Sequence, residues 1–421
     1  MKYGIKLKKG LDTLISENQE LSSVENQPKL TRGLLFLLAI TSGISVANLY
    51  YIQPLLADIA QDFHVTAGEI GRIATVSQLG YALGLLLFIP LGDIRERKSL
   101  IFSLIGVVII ALVGVALSRN IIMLGIACFI FSLTTVIPQL ILPLTAQLAE
   151  PKERGQALGI VMSGLSTGIL LARTVSGVIG DIFGWRIMYW IAAGLMLILA
   201  VILKFFLPEC KPASSIRVTY GQLLKSLWTL FVELPELRKA ALFGAMIFGS
   251  FGAFWSTLAF FLQEPPYYFT AQIVGLFGLV GIVGILYTPL AGRIVDKKTP
   301  EFVGLVSGII TLIAFIILWQ LGSNLWGLIL GVIIFDIGTR GGQISNQARV
   351  YSLIPEARNR LNTVYMVSYF LGGSLGTYLG STAWSILKWD GVFLVGSIMI
   401  SIGVLSFLPA LNKKGYEVTS K

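Results

Sequence analysis

Charge is scarce in this chain. Of its 421 residues only 13% are Asp, Glu, Lys or Arg, against about 25% in ordinary soluble domains. That deficit argues against a soluble enzyme. Histidine is scarcer still, with His64 alone, and the two cysteines sit in unlike settings, Cys128 inside an apolar stretch and Cys210 beside basic residues. Neither a disulfide framework nor a His and Cys metal centre is expected from that set. The chain also has no G-x-x-x-x-G-K-[ST] run, so nothing points to ATP-driven pumping. Its polar first 32 residues hold no short apolar core ending at a small-residue cleavage site, so no removable signal peptide is expected.

What fills the space is apolar, 55% of the chain. A bilayer core of about 30 Å takes about 20 apolar residues wound as helix, since lipid offers the backbone no hydrogen-bond partner. Runs free of Asp, Glu, Lys and Arg cover 33–57, 73–92, 99–118, 120–149, 155–172, 187–203, 240–263, 265–292, 302–335, 361–387 and 391–412. The run 302–335 is too long for one crossing. It is broken by the turn-forming Gly322, Ser323 and Asn324, and its second part stays apolar to about Ala348 despite Asp336 and Arg340. The count becomes twelve, an all-α integral membrane fold.

Lys and Arg gather on the cytoplasmic side of short loops. With twelve spans, 26 of the 32 basic residues fall on the side of both termini, and only Arg72, Arg119, Arg186 and Lys388 on the other. Both termini are therefore expected in the cytoplasm. The formal charge of +10 becomes a topology signal and gives no support to a nucleic-acid partner.

The halves align at an offset of 204. Pro151, Arg154, Met162, Gly168 and Trp185 meet Pro355, Arg358, Met366, Gly372 and Trp389, while Thr66, Ala67, Gly71 and Gly80 meet Thr270, Ala271, Gly275 and Gly284. The expected organisation is a cytoplasmic tail 1–32, a six-helix bundle 33–207, a charged linker 208–239, a second bundle 240–409 and a tail 410–421. Duplicated bundles of this kind suit a transporter that rocks two lobes about a midplane site.

The loop after span 2 reads Leu91, Gly92, Asp93, Ile94, Arg95, Glu96, Arg97, Lys98, and that after span 8 reads Gly292, Arg293, Ile294, Val295, Asp296, Lys297, Lys298. This resembles G-x-L-A-D-R-x-G-R-K, the cytoplasmic loop signature of the major facilitator superfamily. Leu91, Asp93, Arg97 and Lys98 match the first copy, which departs at Ile89, Ile94 and Glu96. Gly292, Asp296 and Lys297 match the second. The resemblance implies a twelve-helix fold of two six-helix pseudo-repeats. It also implies a cytoplasmic gate at Asp93, Arg97, Lys98, Gly292, Asp296 and Lys297, where a carboxylate near a helix end makes charge-assisted contacts in one conformation only. The alternative for Arg95, Arg97 and Lys98 is that they are topology anchors alone. Asn48 to Leu56, Gln78 to Lys98 and Ser345 to Gly373 look like the efflux branch of drug, arabinose and nucleoside exporters. Two drug-antiporter marks are incomplete. Span 4 has no Arg, and the span 5 pattern G-x-x-x-G-P-x-x-G-G survives only as Gly164 and Gly168, with Ile169, Ala172 and Arg173 at the later places.

Arg173, Asp336 and Arg340 are the only charges placed deep within spans. Each costs about 2.5–3.5 kcal/mol at a helix centre on insertion scales, so partners or a wet cavity are required. Asp336 and Arg340, four residues apart, share a helix face. They read either as a proton or substrate site or as a static ion pair. Arg173 reads as a cross-lobe contact, a cavity residue or a snorkelling cation. Uncharged candidates are Asn48, Tyr50, Tyr51 and Gln53 in span 1, Gln139 in span 4, Trp255 in span 7, and Gln343, Asn346 and Gln347 in span 10. In the family resembled, spans 1, 4, 7 and 10 line the cavity, and each residue could equally be helix-to-helix glue. Gly164 to Gly168 spells the hydrolase elbow G-x-S-x-G, but within a helix and without a His partner it reads as close helix packing. Gly372, Gly376 and Gly380 extend the same spacing.

The expectation is a monomeric secondary transporter of the bacterial cytoplasmic membrane. It needs no cofactor or metal, is no enzyme, and exports a small organic molecule in exchange for protons. Proton-coupled uptake is the alternative within transport. A non-transporting receptor with this fold is the alternative outside it, and the short tails leave no room for a signalling domain.

Overall fold

The computed structural model describes residues 30–150, 152–209, 219–354 and 357–406, with Asp93 and Asp296 described in backbone only. The described residues are helical throughout, with short connections. Spans 1 to 6 are Arg32–Asp62, Ala67–Ile94, Arg97–Ala116, Ile121–Leu148, Arg154–Phe183 and Trp185–Phe206. Spans 7, 9 and 10 are Pro235–Gln263, Pro300–Leu321 and Leu325–Leu353. Span 8 is two helices, Ala271–Val280 and Ile282–Lys297, meeting at Gly281.

The last helical stretch, Arg358–Leu405, has 48 residues. A straight helix of that length would reach about 72 Å, more than twice a bilayer core. It does not run straight. Lys388 adopts φ 52° and ψ −134°, and a Cβ on Gly391 would lie 2.5 Å from the Ala383 carbonyl oxygen. The chain thus doubles back there. Residues 358–387 and 389–405 are spans 11 and 12, which completes the expected twelve among the described residues.

Local chemistry explains where the spans begin. Thr66 caps span 2, accepting from the Glu69 amide at 3.3 Å while the Glu69 carboxylate accepts from the Thr66 amide at 2.8 Å. The Asn120 side chain accepts from the Met123 amide at 2.8 Å, and the Asn324 side chain from the Trp326 amide at 2.9 Å. The break expected at residues 322–324 is thus a capped helix start. Spans 2, 4 and 5 begin at 67, 121 and 154, and spans 8, 10 and 11 at 271, 325 and 358, so the sequence offset recurs in the helix starts. Where the sequence suggests only a charged linker, the structure places an amphipathic helix, Tyr220–Glu233. Span 7 then starts at Pro235, with Glu236 in its first turn, a favourable pairing of proline and acid with a helix N-terminus.

Small residues set how closely the spans pack. A Cβ on Gly164 or Gly168 would lie 2.4 or 2.2 Å from the carbonyl oxygens of Ala39 and Gly43, so spans 1 and 5 touch backbone to backbone. In the other half, a Cβ on Gly372 or Gly376 would sit 2.1 or 1.9 Å from the Ala245 and Gly249 oxygens of span 7. The G-x-S-x-G run is therefore packing surface.

The two lobes meet along the halves of the spans remote from the termini. Gln78 donates to Thr377 Oγ1 at 2.7 Å, Ser374 to the Thr75 carbonyl at 3.0 Å, Thr174 to the Gly275 carbonyl at 3.2 Å and Gln263 to Asp58 at 2.9 Å. On the face that carries both termini, Arg349 pairs with Glu236 and lies 3.9 Å from Glu301, fastening spans 7, 9 and 10 within one lobe. Lys98 reaches Glu209 at 3.9 Å.

Replacing Gly376 with Val drives two methyl groups into the span 7 backbone. Overpacking of this kind costs about 1–3 kcal/mol or more. The expected outcome is a midpoint several degrees lower in detergent-solubilised thermal unfolding, whereas Gly106→Ala, which meets nothing within 4 Å, leaves the midpoint unchanged.

Candidate functional site

Between the lobes lies a cavity of about 490 Å³, within the usual range of small-molecule sites. Its lining runs from Tyr50 and Phe251 near the middle of the bundle to Gly92, Arg97, Tyr351 and Asn359 at the face of the termini. With the remote halves sealed by the contacts above, access is from the terminal face.

The two walls differ in chemistry. The first lobe contributes Leu140, Leu142, Pro143, Leu158, Met162 and Leu165, with Gln139 and Ser166 among them, Tyr50 and Tyr81 at the inner end and Arg97 at the mouth. The second contributes Thr339, Arg340, Gln343, Gln347, Asn359 and Asn362. Gln347 donates to the Tyr351 hydroxyl at 2.9 Å, and that hydroxyl donates to Asn362 at 3.1 Å. Arg340 donates to Gln343 at 3.3 Å. Aromatic rings close the inner end, with Phe248 stacked on Tyr369 at 4.1 Å and Tyr81 tilted on Phe370 at 4.4 Å.

Of the residues expected from sequence, Tyr50, Arg97, Gln139, Arg340, Gln343 and Gln347 line this cavity. Gln53 borders a crevice of about 30 Å³ deeper in the bundle, beside Tyr50 and Gln78. Tyr51 and Trp255 are buried outside the cavity lining. Asn48 is fully buried in the break of span 1, between Ala47 and Ile52, and neither atom of its amide has a partner among the described residues. Asn346 faces away from the cavity, donating to the Ala240 carbonyl at 2.7 Å, which ties span 10 to span 7. At the gate, Arg97 donates to the Gly92 carbonyl at 3.2 Å and to Gln147 at 3.0 Å, holding the turn after span 2 against span 4. Gly292 meets nothing within 4 Å, and Lys297 lies in the last turn of span 8. The carboxylates of Asp93 and Asp296 lie outside the described residues.

The three deep charges converge on span 8. A Cβ on Gly278 would lie 2.8 Å from Arg173 Cβ, one on Gly281 2.8 Å from Asp336 Oδ2, and one on Gly284 3.2 Å from both Arg340 Cγ and Asp336 Cβ. Three glycines at intervals of three make one bare strip of helix, and the charges occupy it. Asp336 is 5% exposed, and Arg340 and Arg173 are the cations that act on its carboxylate. No salt bridge within 4.0 Å joins Asp336 to Arg340 among the described residues. Arg173 crosses the lobe boundary. It donates to Gln53 at 2.7 Å and stands 3.8 Å from the centre of the Trp255 ring, with Tyr50 and Phe251 at 5.3 and 5.6 Å. A desolvated guanidinium over indole is worth about 2 kcal/mol, so Arg173 clamps spans 1, 5 and 7 together.

Sequence reasoning missed Tyr81, Tyr351, Asn359, Asn362, Tyr369 and the glycine strip. The signals were present in part. Asn359 and Asn362 are amides three apart at the start of span 11, and Gly278, Gly281 and Gly284 recur at helical spacing.

Arg173→Gln removes the ring contact and so loosens the seal opposite the cavity. In a Ser381→Cys background, where the thiol sits at the lobe seam beside Gly71, labelling by an impermeant maleimide is expected to quicken several-fold. Unchanged labelling would show that the clamp does not hold the seal.

The chain matches the Major Facilitator Superfamily over residues 35–377. It is 38% identical over 377 residues to the uncharacterized transporter YgaY of Escherichia coli O157:H7, covering 90% of this chain and 95% of that one. It is 23% identical over 377 residues to a probable sugar efflux transporter of Helicobacter pylori, covering 88% and 93% of the two chains. Among solved structures, the nucleoside transporter NupG is similar with a TM-score of 0.73 at 16% identity, covering 89% of this chain and 99% of that chain. A duplicated twelve-span bundle with a cavity between its lobes, matched over most of its length, belongs to the major facilitator superfamily.

Proposed function

We propose that this transporter exports a small organic molecule across the bacterial cytoplasmic membrane by alternating access, as a monomer with both termini in the cytoplasm, in exchange for protons carried on Asp336. The observation that carries the reading is the position of Asp336, buried at the broken point of span 8 without an ion pair to Arg340 among the described residues. Broken helices at mid-membrane supply ion sites in transporters, and a carboxylate flanked by two cations changes its pull on both when it gains a proton. With the termini so oriented, the cavity opens to the cytoplasm. The likeness to a probable sugar efflux transporter favours the outward direction.

Proton-linked uptake is a second reading, favoured by one observation. Arg340 lines the cavity and Asp336 does not, so a solute held by Arg340 and a proton on Asp336 need not compete.

Flux into inverted vesicles, measured for sugars, nucleosides, amphipathic drugs and amino-acid derivatives with and without an imposed pH gradient, separates the two. Exchange predicts accumulation driven by an acid lumen; uptake coupling predicts that the same gradient drives solute out. Asp336→Asn is expected to abolish the response to the gradient in either case while leaving the protein in the membrane. Wild-type flux in that variant at every pH would overturn the role of Asp336.

A further inference from the structure

We propose that the cavity accepts an amphipathic organic anion, its carboxylate or equivalent acidic group on Arg340 and its apolar body against the first lobe. The proposal rests on the cavity being the transport site and names the chemical class that fits it.

Three observations carry it. The charges deep within the spans are Arg173, Asp336 and Arg340, two cations and one carboxylate, so the membrane interior holds one positive charge in excess among the described residues. Arg173 is engaged by Gln53 within its own lobe and by the Trp255 ring across the lobe boundary. Two cations line the cavity: Arg97 at its mouth, which donates to the Gly92 carbonyl and to Gln147, and Arg340 farther in, whose one hydrogen bond among the described residues goes to Gln343 at 3.3 Å.

The lining includes no Asp or Glu among the described residues. A cationic solute would therefore meet guanidinium groups and no lining carboxylate among the described residues, a like-charge contact in a poorly hydrated space. An anion meets a planar fork of N–H donors that fits carboxylate and phosphate oxygens, while Gln343, Gln347 and Asn362 supply further hydrogen bonds. The opposite wall is apolar along Leu140, Leu142, Pro143, Leu158, Met162 and Leu165, with its polar groups, Gln139, Ser166 and Arg97, set apart along it. A ligand polar at both ends would leave one end unsatisfied against that wall, and an amphipath matches both.

The site also bears on coupling. A proton on Asp336 leaves Arg340 with no neighbouring negative charge to share, so anion and proton favour each other, the linkage that proton-coupled uptake uses; for an anionic solute the second reading above gains over exchange.

Matched sets decide the matter. For phenylbutyl, naphthylmethyl and octyl bodies, the carboxylate, the primary amide and the amine are titrated calorimetrically into purified protein in lipid nanodiscs, with empty discs subtracted. For at least one body the carboxylate is expected to bind about tenfold tighter than its amide and amine. In Arg340→Gln the preference is expected to shrink to within about twofold, and in Arg340→Lys to survive in part. Asp336→Asn is expected to tighten the carboxylate and leave the amide alone. A preference for the amine, equal binding of all three, or no carboxylate binding for any body overturns the proposal. So does a folded Arg340→Gln protein that keeps the preference. If that variant does not fold, the ranking in the wild-type protein decides alone. Binding needs no translocation, so a carboxylate preference without vesicle flux would sink the transport reading and leave this one standing. Flux of neutral or cationic solutes without carboxylate binding would do the reverse.

Discussion

Three charges can sit at mid-membrane here because the helix they face has no side chains where they meet it. Lipid cannot solvate Arg173, Asp336 or Arg340, so each must be enclosed by protein. Enclosure at this depth normally means competition with neighbouring side chains for space. Gly278, Gly281 and Gly284 remove that competition along one strip of span 8, and a methyl group at any of the three would press on the charged side chains. Helix 8 is also broken at Gly281, so the rigid rod is interrupted where the carboxylate touches it. Packing, charge burial and the bend are one local solution, and the cavity wall that carries Arg340 is built on it.

The same logic separates the two ends of the molecule. Remote from the termini, small residues and short hydrogen bonds such as Gln78 to Thr377 hold the lobes together. At the other end the ion pairs among the described residues include Arg349 with Glu236, inside the second lobe, and the lobes part around the cavity. The linker helix is an exception, since Tyr220 donates to the Leu87 carbonyl of span 2 at 2.9 Å. Connector and first lobe are thereby tied at the rim.

Much of this architecture is legible in the residues. Lipid imposes a length on every crossing, so uncharged runs reveal the spans, and the cluster Gly322 to Asn324 marks a true boundary because Asn324 caps the start of span 10. Glycine spacing in spans 5 and 11 reveals close packing for the same reason. Orientation of single side chains is another matter. Helices buried in protein have no polar face to betray their rotation, so Asn346, equal to Gln343 as a candidate by composition, turns out to bind the Ala240 carbonyl of span 7 instead. The reversal between spans 11 and 12 is visible in the sequence through Lys388 and its polar neighbours. The helix at Tyr220–Glu233 is obscured there by the charges around it.

Span 7 carries a consequence of its own. Every residue from Met246 to Leu262 is buried, so this rod sees protein on all sides for most of its length and touches almost no lipid. A peripheral helix can drift with the fluid around it, whereas an axle must keep its bearings. Any swing of one lobe against the other is therefore transmitted as sliding or rolling along span 7, and the grip of Gly372 and Gly376 upon it decides how freely that axle turns.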